Sequence, residues 1–166
     1  MKILGLIIIF FSCSAMGFIK SFEYTKALGE LYAFILLIRF IKREIGMYLT
    51  KQKDIFYRFE NPILEETGFL KTLRETELTD EKSVLFHALQ IYNEKLRINE
   101  YAKSVLCEFA EDFGRMSPEE QTERCNSTLS CLEEIYKKEK EESTSRIKSC
   151  RSLWCMAGAS AVLLLI

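Results

Sequence analysis

Histidine occurs once in these 166 residues, proline twice, and no two cysteines show C-x-x-C spacing. A lone His87 excludes His-dependent triads and paired-histidine metal centres, and it fits better on a partly buried helix face. The six cysteines (Cys13, Cys107, Cys125, Cys131, Cys150, Cys155) lack the spacing of a zinc site. Cys125 and Cys131 stand six apart in one helical stretch, a rise of ~9 Å that is too far for a local disulfide, so free thiols are expected. No glycine-rich loop is present to cradle a phosphate. Glu65–Glu66 and Glu119–Glu120 read as helix-surface or capping residues rather than as acid/base pairs. Enzymatic activity is therefore not expected, and neither is a cofactor or a metal.

Charge of either sign is missing from two places. Ile3–Ile19 and Leu153–Ile166 contain no Asp, Glu, Lys or Arg. Apart from Lys2, the chain between them carries 22 basic and 24 acidic groups, a net of −2. That balance supplies no field for nucleic acid, and there is no aromatic-plus-arginine stacking platform. Few Pro and Gly with abundant Leu, Glu, Lys and Ile predict an all-α chain.

The two apolar stretches are expected to be membrane spans: a transmembrane helix at 1–19, a cytoplasmic helical bundle at 20–152, and a second transmembrane helix at 153–166. The first stretch is at the short end of the ~17–25 residues a span requires, and it also has the marks of a signal peptide. The second would rise only ~21 Å and needs a locally thinned bilayer, with Trp154 at the headgroup level. Lys20, Lys26 and Arg39 follow the first, and Lys137, Lys138, Lys140, Arg146, Lys148 and Arg151 precede the second. This positive flank places the middle in the cytoplasm.

Between the ends, Leu28, Leu31, Ile35, Ile38, Ile41, Ile45 and Leu49 recur at helical spacing and predict an amphipathic helix. A short helix over 54–59 is ended by Asn61–Pro62, and another amphipathic stretch covers 63–73. Thr79 or Asp80 is expected to cap the next helix, with Leu85, Leu89 and Tyr92 inward and Phe86 alongside. Asn99 is expected to cap a helix in which Val105, Leu106, Phe109 and Phe113 face inward, with Gly114 as its left-handed end. Ser117–Pro118–Glu119–Glu120 is a capping box with proline in the first turn. No further Pro or Gly occurs until Gly158, which predicts one helix of about 45 residues continuing into the membrane. Leu129, Leu132, Ile135 and Tyr136 pack its first half, and about 137–151 forms a charged stalk.

A rival reading uses the sequon Asn126–Ser127–Thr128, the N-terminal signal, and Ser143–Thr144–Ser145 before a polar spacer and apolar tail. These together describe a secreted, GPI-anchored helical protein with two disulfides among Cys107, Cys125, Cys131 and Cys150.

The order of these parts resembles the stage III sporulation protein AB family. Gly17–Phe18 ends the first span, and Glu44, Ile45 and Thr50 match a Glu-Ile with Thr six residues on. Phe109, Gly114 and Gln121 fit the spacing of a later pattern, with Phe113 in place of its Leu. The chain departs from the family where Lys51–Gln52 replace Pro-Leu, Ala110 replaces Gly, and Met116–Ser117 replace Ser-Asp. The resemblance implies a cytoplasmic domain similar to the type II secretion F platform, within a channel from mother cell to forespore. It implies as partners other stage III sporulation channel proteins, including a cytoplasmic ATPase, together with the membrane, and it is compatible with a homo-oligomer. The expected partner surface is Phe113, Gly114, Arg115, Glu119, Glu120 and Gln121, set by the cap Ser117–Pro118.

Overall fold

The computed structural model describes the backbone of residues 2–48, 52–76 and 83–165, and the side chains of 22–46, 54–76, 83–145 and three later positions. Among the described residues every regular element is a helix: α1 Lys2–Tyr48, α2 Gln52–Arg58, α3 Pro62–Glu66, α4 Phe69–Glu75, α5 Val84–Tyr92, α6 Glu100–Asp112 and α7 Pro118–Leu165. The all-α expectation holds. Both apolar ends are helical in backbone, but no helix among the described residues is long and apolar enough to cross a membrane. Most side chains of the expected spans lie outside the described residues.

The chain divides into two compact units, one of Met1–Lys26 with Lys138–Ile166 and the other of Ala27–Lys137. In the first, the described side chains of the charged stretch are mostly exposed. Ser143 is an exception, buried with its Oγ donating to the Lys140 carbonyl at 3.1 Å.

The second unit holds the core. Along α1, Leu31, Phe34, Ile35, Ile38 and Ile41 are fully covered, and so are Ala33 and Leu37 between them. The expected single stripe is therefore too narrow. α1 is enclosed over most of its girth here, as an element apolar on nearly every side must be. It also continues without a break from the N-terminal apolar stretch, which the sequence reading had kept separate.

Local chemistry explains where the short helices start and stop. Asn61 is extended, with φ −152° and ψ 119°, as a residue before proline prefers. Its Oδ1 accepts from the amides of Ile63 at 3.0 Å and Leu64 at 3.2 Å, capping α3. The amphipathic stretch expected over 63–73 is two helices instead. Gly68 breaks it with φ +80°, and a Cβ there would lie 2.8 Å from the Tyr92 hydroxyl oxygen. Glycine meets both demands without backbone strain and without displacing the Tyr92 hydroxyl.

The described cap of α5 is Ser83, whose Oγ accepts from the Phe86 amide at 3.2 Å. The same hydroxyl donates to the Ala110 carbonyl on α6. The expected caps Thr79 and Asp80 fall outside the described residues. Asn99 caps α6 as expected, accepting from the Ala102 amide at 2.6 Å. Gly114 just past its end has φ +90°, the left-handed termination its position implied.

Two polar side chains, Arg74 and Glu30, join segments distant in sequence. The Arg74 guanidinium donates to the carbonyls of Phe56 at 3.3 Å and Phe59 at 2.7 Å, and to Glu65 at 2.9 Å. It thus satisfies carbonyls at the end of α2 that the helix itself leaves open. Glu30 is 3 % exposed on α1, and its carboxylate accepts from the Arg97 amide at 2.8 Å.

Candidate functional site

The junction between α6 and α7 carries the residues expected to meet a partner. Ser117 Oγ accepts from the Glu120 amide at 3.3 Å, and Glu120 Oε2 accepts from the Ser117 amide at 3.0 Å. This is a closed capping box, with Pro118 in the first position where its missing N–H costs nothing. The backbone and hydroxyl bonds from Ser117 hold the Glu120 carboxyl below the usual glutamate range. Thr122 Oγ1 reinforces the turn by donating to the Pro118 carbonyl at 2.8 Å.

The expected surface divides into layers. Phe113 is 5 % exposed and faces the core, with ring centroids 5.5 Å from Phe109 and 6.0 Å from Phe56. Gln121 is half-buried and donates through Nε2 to the Met116 carbonyl at 2.9 Å. Gly114, Arg115, Glu119 and Glu120 are exposed. Phe113 and Gln121 thus fix the junction's shape, and the outward chemistry is one arginine with two carboxylates. Arg124, from the next turn of α7, closes the junction's flank by donating to Glu108 on α6 at 2.8 Å.

A second surface, which the sequence reading missed, lies between α1 and α7. Arg39, Lys42 and Arg43 fall at i, i+3 and i+4 on α1, with Gly46 one turn on, and they face Thr122, Asn126 and Glu133 of α7 across an open groove. Arg39 donates to Glu133 at 2.6 Å, and this bond raises the guanidinium pKa. Arg43 sits 3.9 Å from the buried Glu44, which also has Arg58 at 3.6 Å. The spacing of the three bases was visible in sequence, but nothing there showed that α7 would leave them a groove.

Burial holds two of the thiols in the protonated form. Cys125 is fully buried on the inner face of α7, and burial pushes it up to about 11 despite the lowering effect of Lys42. Burial and Glu111 likewise raise Cys107. Cys107, Cys125 and Cys131 are free thiols, as the sequence reading expected. Cys150's side chain lies outside the described residues. The sequon sits inside α7 with Thr128 buried. No group of three or more potential metal ligands occurs among the described residues.

Residues 2–166, almost the entire chain, match the family described as stage III sporulation protein AB. The chain belongs to that family. No curated protein and no solved structure matches it significantly. Membership gives the chain a role in sporulation and lends nothing to the GPI-anchored reading.

Proposed function

We propose that the chain is a non-enzymatic platform in the sporulation channel that joins mother cell to forespore, linking a cytoplasmic ATPase to membrane components. The observation that carries this reading is the family match over residues 2–166, together with an uncharged apolar stretch at each end. In this reading 1–19 and 153–166 are membrane spans, and the charged middle faces the mother-cell cytoplasm under the positive flanks. α1 and α7 each contribute to both compact units, so each helix belongs at once to an apolar end and to the helical domain.

The ATPase contact is assigned to the exposed edge Arg115, Glu119 and Glu120. A capping box favours such a contact because it fixes the backbone beneath the charges, so less is lost in ordering them on binding. Glu120 also holds the helix start, so reversing its charge would confuse binding with capping. Glu119→Lys combined with Glu120→Gln removes the acidic edge and keeps a capping side chain. Pull-down of the channel ATPase should fall several-fold with this variant, while thermal unfolding stays a single cooperative transition lowered by no more than a weakened helix cap accounts for. Undiminished capture would move the contact elsewhere.

A further inference from the structure

Residues 27–137 carry 15 basic and 20 acidic side chains, a net of −5, yet the groove between α1 and α7 collects three bases on its α1 wall. Of these, Arg39 is tied to Glu133 and Arg43 leans toward Glu44. Lys42 is half-buried in the groove and makes no ion pair among the described residues. Next to it Gly46 leaves open space where a side chain would stand. The groove is open to solvent and offers about 790 Å³, far more than a single small ion fills, and its α7 wall carries the hydroxyl of Thr122 and the amide of Asn126.

The complementary charge lies beside it on the same helix. Glu119 and Glu123 come three residues before Thr122 and Asn126, and side chains so spaced are surface neighbours on a helix. Both carboxylates are exposed. One strip of α7 therefore presents acid, and the adjoining strip borders the basic groove. A patch holding both signs side by side is self-complementary under a two-fold rotation, which lays the acid strip of one copy over the groove of the other and makes every contact twice.

We infer that this face is a self-association surface, in which the α7 acid strip of a second copy of the chain docks over Lys42 in the α1–α7 groove. Lys42 and Glu123 are the pair to test. Neither belongs to the proposed ATPase contact, whereas Glu119 borders both surfaces, so the two readings are separated by Lys42→Glu and Glu123→Lys, which should weaken self-association and leave ATPase capture unchanged. The contact is mostly polar, so it should weaken steeply with salt.

The test is sedimentation equilibrium on the full chain purified in detergent micelles, at low and at high salt. The wild type should show a monomer–dimer equilibrium in the micromolar range that shifts to monomer as salt rises. Lys42→Glu and Glu123→Lys should each weaken the dimer by about tenfold or more. Mixing the two variants should restore it, because each altered charge then meets its opposite across both contacts. Restoration also shows that both variants are folded. A wild type that stays monomeric, a dimer indifferent to either reversal, or a mixture no tighter than its separate components would each overturn the assignment.

Discussion

The two surfaces of the helical domain are built in opposite ways. At the α6–α7 junction, charge sits on a backbone that is wired down: Phe113 in the core, Gly114 in a left-handed turn, and Ser117 and Glu120 exchanging hydrogen bonds. In the α1–α7 groove, charge sits on long flexible side chains around open space, and the strongest local tie is a half-exposed ion pair. Residues at the junction therefore hold the fold while they present charge. Residues in the groove present charge and hold little. This contrast predicts that substitutions of the buried and capping residues at the junction cost stability, whereas substitutions in the groove change association.

The largest effect should come from Phe113→Ala. It removes a buried ring that touches both Phe109 and Phe56 and leaves a cavity where α6 ends, at a cost of roughly 3–5 kcal/mol. Urea unfolding should show a lower midpoint with little change in slope. If the midpoint barely moves, Phe113 is free to serve a partner and the layered description of the junction fails.

Much of the junction was legible in sequence because its signals are local. Serine, proline and glutamate at fixed offsets, and a glycine after the last apolar position, depend on nothing beyond one helical turn. The same holds for Asn61 and Asn99. Reading failed where the deciding partner was distant. The break at Gly68 goes with a left-handed backbone beside the Tyr92 hydroxyl of α5, a neighbour 24 residues away that the pattern over 63–73 does not show. Thr79 and Asp80 are cap residue types as good as Ser83, and what distinguishes Ser83, its second partner Ala110, is 27 residues away. The Arg74 clasp on the end of α2 and the Glu30 contact with the Arg97 amide are invisible for the same reason. The breadth of burial on α1 goes with its unbroken apolar run Ala33–Ile38, which a stripe at spacings of three and four leaves half unread.

Gly114→Ala should come next, at about 1–2 kcal/mol, since a Cβ in a left-handed conformation is strained wherever it occurs. Thermal unfolding should register the loss, and the longer-chained Gly114→Asn should recover part of it because asparagine tolerates that conformation. Equal losses for the two would mean that the cost is not backbone strain.

Ser117→Ala should cost about 1 kcal/mol by leaving the Glu120 amide without its cap. Its effect on pH dependence is more diagnostic. Because the Ser117 bonds hold the folded Glu120 carboxyl below its unfolded value, the contribution of that carboxyl is present above the unfolded range and fades as pH falls through the lowered one. Removing the hydroxyl takes away one of the two bonds, so stability should fall less steeply on acidification in the variant. Identical acid slopes would show that the box is not closed in solution.

The smallest effect should be in the groove. Arg39 and Glu133 are each about half exposed, with side chains 48 % and 47 % accessible, so their short contact competes with water and salt. Glu133→Gln should change stability by ~1 kcal/mol or less, and that change should vanish at high salt. It should nonetheless affect self-association, because releasing Arg39 puts a second uncommitted base beside Lys42. The dimer should then tighten even as the monomer becomes marginally less stable. A stabilising pair could not behave this way, since its loss would weaken fold and association together. Opposite signs for the two measurements would therefore mark the groove as a surface kept for binding, and a shared sign would make it part of the scaffold, like the junction.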